Sequence, residues 1–112
     1  MSQIPFQLIN WSEVPATNHI GNSGYALWKT IQYSNFRMRI VEYSTGYLAD
    51  HWCAKGHIVH CLKGDFVSEM QGGTEFHLTE GMSYVVSDDL STHRSKTENG
   101  VTLLIIDGEF LK

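Results

Sequence analysis

The chain has 112 residues, of which 42% are hydrophobic and 18% are charged, a composition typical of one folded domain and not of a disordered chain. Eight basic and twelve acidic side chains give a net charge of −4, and the basic ones are scattered along the sequence, so no basic patch for nucleic acid is indicated. The N-terminus lacks the basic start and apolar stretch of a signal peptide, and the longest apolar run, residues 103–106, is too short to cross a bilayer. We therefore expect a soluble cytoplasmic protein that partners neither nucleic acid nor a membrane.

The N-terminal segment differs from the rest of the chain. Pro5 and Pro15 interrupt it, and Trp11 lies between them; prolines of this kind break regular elements. We predict that residues 1–23 form an arm, and that this arm packs on a single barrel domain over residues 24–112.

The next two runs, residues 25–33 and 36–44, alternate between apolar and polar side chains and predict a hairpin that turns at Ser34 and Asn35. Because side chains flip at each strand residue, Arg37 and Arg39 share one face. That face is either an exposed edge of the sheet or the wall of a cavity, where the two guanidinium groups would hold a small carboxylate substrate.

From Gly46 onward, turn residues recur at short intervals. Between them lie short runs rich in valine, isoleucine, threonine and aromatic residues, at 57–63, 66–70, 74–79, 83–87 and 101–107. Short strands at this spacing are typical of a β-sandwich or a closed barrel, and no run keeps a helical apolar period, so helices are at most short.

One stretch concentrates metal-binding residue types: residues 49–61, ADHWCAKGHIVHC, contain three of the six histidines and both cysteines. On an extended strand His51 and Cys53 point to the same side, at a separation that suits two ligands of one ion. His57 opens the next strand, and His93 is the candidate for a fourth ligand. Packing or surface exposure is the alternative for each of these residues.

Two neighbours of these residues have open roles. Asp50 either holds a ligand histidine through its other ring nitrogen or is a turn residue. Cys61 shares a face with His57 and either lines the barrel cavity or packs in the core, and the core is favoured.

The segment GYLADHWCAKGHIVHCLKGDF resembles the first conserved motif of the cupins, with His51, Cys53 and His57 in the places of that motif's two histidines and glutamate and with Gly64 in the place of its closing glycine. The segment GMSYVVSDDLSTHRSKTEN resembles the second motif, with His93 in the place of its histidine. The run DHWC followed by KGH resembles a small single-domain cupin subgroup, the DHCW-motif cupins. The resemblance implies an all-β, double-stranded β-helix, a jelly-roll barrel, and a homodimer formed through a strand or the N-terminal arm.

The resemblance also implies a metal bound by His51, Cys53, His57 and His93. Three imidazoles and one thiolate form a soft ligand set that favours zinc, with nickel, copper or iron as alternatives. We therefore predict a small cupin that binds a transition-metal ion. The alternatives are a metal-dependent enzyme of oxygenase, isomerase or lyase type acting on a small molecule, and a metal-free binding or assembly module.

Overall fold

The computed structural model describes residues 3–112 as an almost entirely β structure. Its elements are a 3-10 helix Trp11–Glu13, the strands β1 (Ala16–Ile20), β2 (Tyr25–Gln32), β3 (Phe36–Tyr43), β4 (Tyr47–Leu48), β5 (His57–Met70), β6 (Glu75–Thr79), β7 (Ser83–Val86), β8 (His93–Thr97) and β9 (Val101–Gly108), and a 3-10 helix Glu109–Leu111. Within residues 3–112, no helix has the length and apolar character that crossing a membrane requires.

The strands form two antiparallel sheets that share β5. In the first sheet the order is β1-β2-β3-β9-β5-β7, where the N-terminal half of β5 pairs with β9 and β7. In the second sheet the C-terminal half of β5 lies between β6 and β8, and β8 pairs with β4. One strand thus joins both sheets, and the core lies in the space that they enclose.

Strand β5 is continuous where the sequence predicts two strands separated by a turn at Gly64. The pairing of β5 with β9 shifts register between Cys61 and Lys63, and Gly64 follows with a φ of 85°. A bulge of this kind bends a strand without ending it. Gly64 therefore bends β5 from one sheet into the other.

The predicted hairpin is confirmed, because β2 and β3 pair antiparallel along their length. β3 is not an edge strand, since it lies between β2 and β9, and the edge-strand alternative is therefore wrong. Val41 and Arg39 are both buried on the same face of β3, so the arginine face of this strand points into the barrel.

The core is built from inward positions of six strands, β2 to β6 and β9. Its fully buried apolar members include Val41, Val59, Cys61, Phe66 and Leu103. In β9 every second residue is buried, from Val101 through Asp107, which is the alternation of a strand with one face on the core.

Part of the segment predicted as an arm belongs to the first sheet. Residues Ala16–Ile20 form β1, which pairs with β2, and the ring of His19 stacks on that of Trp28 at 3.7 Å. Farther toward the N-terminus, Phe6 and Leu8 are exposed; residues 1–2 lie outside the described part of the chain. The boundary at residue 23 and a homodimer through this segment stay predictions.

The bend in β5 gives a stability prediction. In Gly64→Ala the new Cβ would lie 2.5 Å from the carbonyl oxygen of Gly100, and the backbone would keep a left-handed φ. We expect the free energy of unfolding to fall by about 2 kcal/mol or more, measured by urea denaturation. Gly72→Ala is the matched control, because a Cβ there meets nothing within 4 Å and the change should stay within about 0.5 kcal/mol. Equal effects of the two substitutions would contradict the assigned bend.

Candidate metal site

Three side chains converge at one end of the barrel, two of them close together in the sequence and the third about forty residues farther along. One ligand atom from each of Cys53, His57 and His93 lies within 4.8 Å of the other two. The Sγ atom of Cys53 is 3.5 Å from Nε2 of His57. A thiolate and two imidazoles at this separation can all reach one ion with bonds of about 2.0 to 2.3 Å.

The backbone fixes two of these side chains relative to each other. The Cys53 N–H donates to the carbonyl of His93 at 2.7 Å, and the His93 N–H donates to the carbonyl of Cys53 at 3.0 Å. Residues that exchange both hydrogen bonds in an antiparallel pair carry their side chains on the same face. His57 begins β5 and His93 begins β8, so two strand starts and one bridge position form the site.

Hydrogen bonds to Nδ1 fix the tautomers of both histidines. His57 Nδ1 lies 3.2 Å from Oδ2 of Asp107, and His93 Nδ1 lies 3.2 Å from the carbonyl oxygen of Ser91. The carbonyl oxygen of Ser91 and the ionised carboxylate of Asp107 can only accept a hydrogen bond. Each Nδ1 therefore carries a hydrogen and donates it. Each Nε2 is then available to the other members of the group. This is the arrangement that orients histidine ligands in metal proteins.

Nε2 of His93 is buried and has no hydrogen-bond partner among residues 3–112. A buried acceptor without a partner costs about 1 to 3 kcal/mol. A metal ion bound between the three side chains would satisfy it. The residues present therefore fit a metal ion, on the evidence of this orphaned nitrogen and of the converging donors.

The site favours a thiolate at Cys53. The hydrogen bond with His57, and then the nearby ring of His93 and the backbone N–H of Lys55, lower the pKa of the Cys53 thiol to about 5, although burial opposes the shift. Burial alone would lower the pKa of His57, but the hydrogen bonds with Asp107 and Cys53 outweigh it and raise that pKa. In the absence of a metal, both shifts favour a thiolate at Cys53 paired with an imidazolium at His57.

Asp107 supports the site from β9, the strand that pairs with β5. Its Oδ2 accepts from Nη2 of Arg37 and Nη2 of Arg39, each at 3.0 Å, as well as from His57, and its Oδ1 accepts from Nε of Arg37 at 3.0 Å. Burial would raise the pKa of this carboxyl, but the hydrogen bonds from His57 and Arg37 hold the pKa well below its usual range. Asp107 is therefore a carboxylate that orients His57 and neutralises part of the charge of the two arginines.

His51 is not part of the converging group. Its side chain is 76% exposed, and its Nδ1 lies 2.6 Å from Oδ1 of Asp50. Residues 50 and 51 lie in a bend and not in a strand, so the two-residue alternation that would align His51 with Cys53 does not apply. His51 still lines the same cavity, and its role as a ligand stays a prediction.

The other sequence candidates are placed as follows. Asp50 does contact a histidine, but that histidine is His51. Cys61 is fully buried in the core, with its Sγ 3.4 Å from the carbonyl oxygen of Gly64, and it does not line the cavity, which favours the packing alternative. Arg37 and Arg39 do line the cavity, although both are already bound to Asp107.

The cavity beside the group has a volume of about 190 Å³, below the range of about 300 Å³ and more that is usual for drug-sized ligands. It is lined by the three converging side chains and by residues that the sequence reasoning did not single out, namely Tyr43, Tyr84 and Lys55. Burial raises the pKa of both tyrosines, so their hydroxyls stay neutral and can donate hydrogen bonds. A small molecule would meet neutral and cationic donors here.

Asp107 was also missed, yet a signal for it is present in the sequence. It occupies the same alternation as Val101, Leu103 and Ile105, so a carboxylate falls at an inward position of an apolar strand. A charged group at such a position requires a partner, and that requirement points to the site.

Loss of the Asp107 carboxylate should destabilise the fold. Asp107→Asn removes the negative charge and leaves the guanidinium of Arg39, which is only 6% exposed, without an ionic partner. Removing one partner of a buried pair typically costs about 3 to 5 kcal/mol, so we expect a loss of this size in chemical denaturation. Asp65→Asn is the control, because that carboxylate is 43% exposed where it contacts His77, and its loss should cost at most about 1 kcal/mol. An Asp107→Asn protein as stable as the wild type would contradict the assigned ion pairs.

Comparison with known proteins finds similarity in structure only. No family model matches the chain, and no curated protein matches its sequence. A predicted oxalate decarboxylase from Thermotoga maritima is similar with a TM-score of 0.76 and 14% identity, covering 91% of this chain and 99% of that chain. A cupin-like protein from Thermotoga maritima gives a TM-score of 0.68 and 16% identity over 80% of this chain and 74% of that one.

A third solved structure, Fe(II)-HppE with an alternative substrate, has a TM-score of 0.74 and 12% identity; the match covers 91% of this chain and 60% of that chain. At these identities the similarity shows the fold and not the activity. Two antiparallel sheets joined through β5 around a small cavity, together with these likenesses, establish that the chain has the cupin fold, a double-stranded β-helix.

Proposed function

We propose that the protein binds one divalent transition-metal ion through Cys53, His57 and His93, and that the ion keeps a coordination position for a small molecule. The observation that carries the proposal is the buried Nε2 of His93, which has no partner among the described residues and lies beside a thiolate and a second imidazole.

The composition of the group supports zinc as the first candidate metal. One thiolate and two imidazoles form a soft to intermediate ligand set, which suits zinc and also nickel, copper or iron. A bound ion of this class supplies Lewis acidity and lowers the pKa of a bound water. The chain's own residues orient the ligands: Asp107 holds His57, and the carbonyl of Ser91 holds His93.

Three converging protein ligands favour an open site over a closed, structural one. Zinc sites with four protein ligands are usually structural, whereas three ligands leave a position for water or substrate. His51 is proposed as a fourth ligand that approaches only if its side chain leaves Asp50. If His51 stays bound to Asp50, three protein ligands leave a coordination position open, as in metal-dependent enzymes. The small molecule that enters the cavity would then determine the reaction.

Metal analysis of variants tests the ligand set. Untagged protein isolated at pH 7.5 should contain close to one equivalent of metal. Removal of a group that only orients a ligand weakens metal binding roughly 10- to 100-fold. We expect at least this loss of metal affinity in each ligand variant: Cys53→Ser, His57→Gln and His93→Gln. His77→Gln is the control, because His77 is exposed and contacts Asp65. His51→Gln should retain the metal if three ligands suffice.

The same measurement has a defined pH dependence. Protons compete with the metal for His57, and because the pKa of His57 is raised, the competition begins at a higher pH than for an ordinary imidazole. Occupancy should therefore decline between pH 7.5 and pH 5.5. Protein that contains no metal at either pH would instead support the metal-free alternative, and full occupancy in His93→Gln would show that the ligand set is wrong.

A second function, a thiol nucleophile in the metal-free protein, is favoured by a specific geometry. Cys53 Sγ is 3.5 Å from Nε2 of His57, whose Nδ1 is 3.2 Å from Asp107. This is the order of nucleophile, base and orienting carboxylate that activates cysteine in hydrolases and transferases.

Alkylation of chelated protein tests this function. Iodoacetamide should modify Cys53 at nearly the same rate at pH 8 and pH 6, because its thiol is ionised above a pKa of about 5. The rate should fall once the pH drops below this pKa. An ordinary thiol, with a pKa of about 8.5, loses most of its rate between pH 8 and pH 6. Cys61 is the internal control, since burial raises the pKa of its thiol and should leave it unmodified. A Cys53 rate that falls in parallel with a free thiol would contradict the nucleophile.

A further inference from the structure

The wall of the metal cavity is cationic. Among residues 3–112, no aspartate or glutamate lines it, whereas three basic side chains do: Arg37, Arg39 and Lys55. Asp107 lies behind this lining, in contact with the two arginines. Three cationic side chains therefore face one buried carboxylate and one thiolate, so positive charge remains in excess even before a divalent ion is added.

Asp107 cannot neutralise both arginines. Its Oδ2 accepts from Arg37, Arg39 and His57 at 3.0 to 3.2 Å, and its Oδ1 accepts from Arg37. A carboxylate carries one negative charge, and four hydrogen bonds from three side chains share it here. One carboxylate therefore leaves one of the two guanidinium charges without a counter-charge.

The arginines retain unused donors. Arg39 is 5% exposed, its guanidinium lies 4.5 Å from the centre of the Trp28 ring, and its buried Nε has no partner among residues 3–112. Arg37 contacts Asp107 through Nε and Nη2, which leaves Nη1 for another acceptor, and 27% of its side chain is exposed. Buried cationic donors without acceptors are costly, and an anion would relieve that cost.

Lys55 and Arg37 mark the opening of the cavity. Both also line a wider groove of about 540 Å³ on the protein surface, together with Lys112 and the acidic Asp88 and Glu109. Lys55 is exposed and follows Cys53 by two residues, and its backbone N–H contacts the Cys53 thiolate. Its flexible ammonium group can therefore reach over the opening while its backbone stays fixed beside the metal site.

We propose that this cavity binds a small carboxylate anion, held by the side chains of Arg37 and Lys55 at the opening and by the charge of Arg39 behind them. A volume of about 190 Å³ corresponds to roughly six water molecules, so the anion is an acid with only a few carbon atoms. Planar guanidinium groups match the planar carboxylate. The inference rests on the proposed function only in placing the other end of the ligand next to the ion; the cationic wall belongs to the protein alone.

A matched pair of probes tests the charge requirement. Propionate and propionamide have nearly the same size and shape and differ in charge, and neither strips metal from protein as a chelator would. Titrations of each into metal-loaded protein and into chelated protein, followed by chemical shifts of the amides near Lys55, should show saturable binding of propionate at least tenfold tighter than that of propionamide. The affinity for propionate should fall as salt is raised.

Variants locate the anion. Lys55→Gln and Arg37→Gln should each weaken propionate binding at least threefold. Lys63→Gln should not, because Lys63 is equally exposed and lines neither the cavity nor the groove. Lys55→Gln keeps the test valid if Arg37→Gln fails to fold, since Lys55 forms no ion pair within residues 3–112.

Three results would overturn the inference: propionamide binding as tightly as propionate, unchanged affinity in both variants, or inorganic phosphate binding more tightly than propionate. Failure of the metal proposal is a different result. Protein that holds no metal but still prefers propionate in the chelated form would reject the metal site and support the anion site. Protein that holds one equivalent of metal but does not discriminate between propionate and propionamide would support the metal site and reject the anion site.

Discussion

The structure of the site depends on the buried carboxylate of Asp107. β9 lies between β3 and β5, and the register places Asp107 opposite Arg37 on one side. On the other side Ile106 pairs with Ile58, so that Asp107 comes level with His57. Strand pairing alone therefore brings a carboxylate between a cation and a metal-ligand candidate. A register slip of one residue would turn Asp107 away from the barrel and leave Arg39 buried without a counter-charge.

This dependence links stability to chemistry. The same oxygen atom that neutralises Arg39 also fixes the tautomer of His57, and the tautomer decides which nitrogen faces Cys53. The second histidine is fixed more locally, by the carbonyl of Ser91 and by the backbone bridge to Cys53. His57 is thus oriented by the packing of the first sheet, and His93 by contacts at the start of β8 in the second sheet. Strand β5 joins the two sheets.

Much of the fold and part of the site follow from the sequence. The hairpin of β2 and β3 and the short strands could be predicted, because alternation and turn residues are local signals. The approach of His93 to Cys53 was implied by the resemblance to the two cupin motifs and not by a local signal. The convergence of Cys53 with His57 also follows from their spacing. His51 could not be placed, since alternation holds only inside a strand and residues 50 and 51 bend. The pairing of Arg37 and Arg39 with Asp107 was out of reach because the register between β3 and β9 is set by long-range packing.

The two proposed activities of Cys53 exclude each other in one molecule. A metal ion held by Cys53, His57 and His93 would bind the Cys53 sulfur, and the free thiolate that a nucleophile requires would then be lost. Without the ion, a proton takes its place between Sγ and Nε2 of His57, and the lowered pKa of Cys53 together with the raised pKa of His57 stabilises that pair. Metal binding must therefore displace this proton, and the affinity for the ion is the net result of that exchange. The cationic wall has the same effect with and without the ion. Its positive charge disfavours a second cation in the cavity and attracts an anion. The charge of a small molecule therefore affects its entry before its shape does.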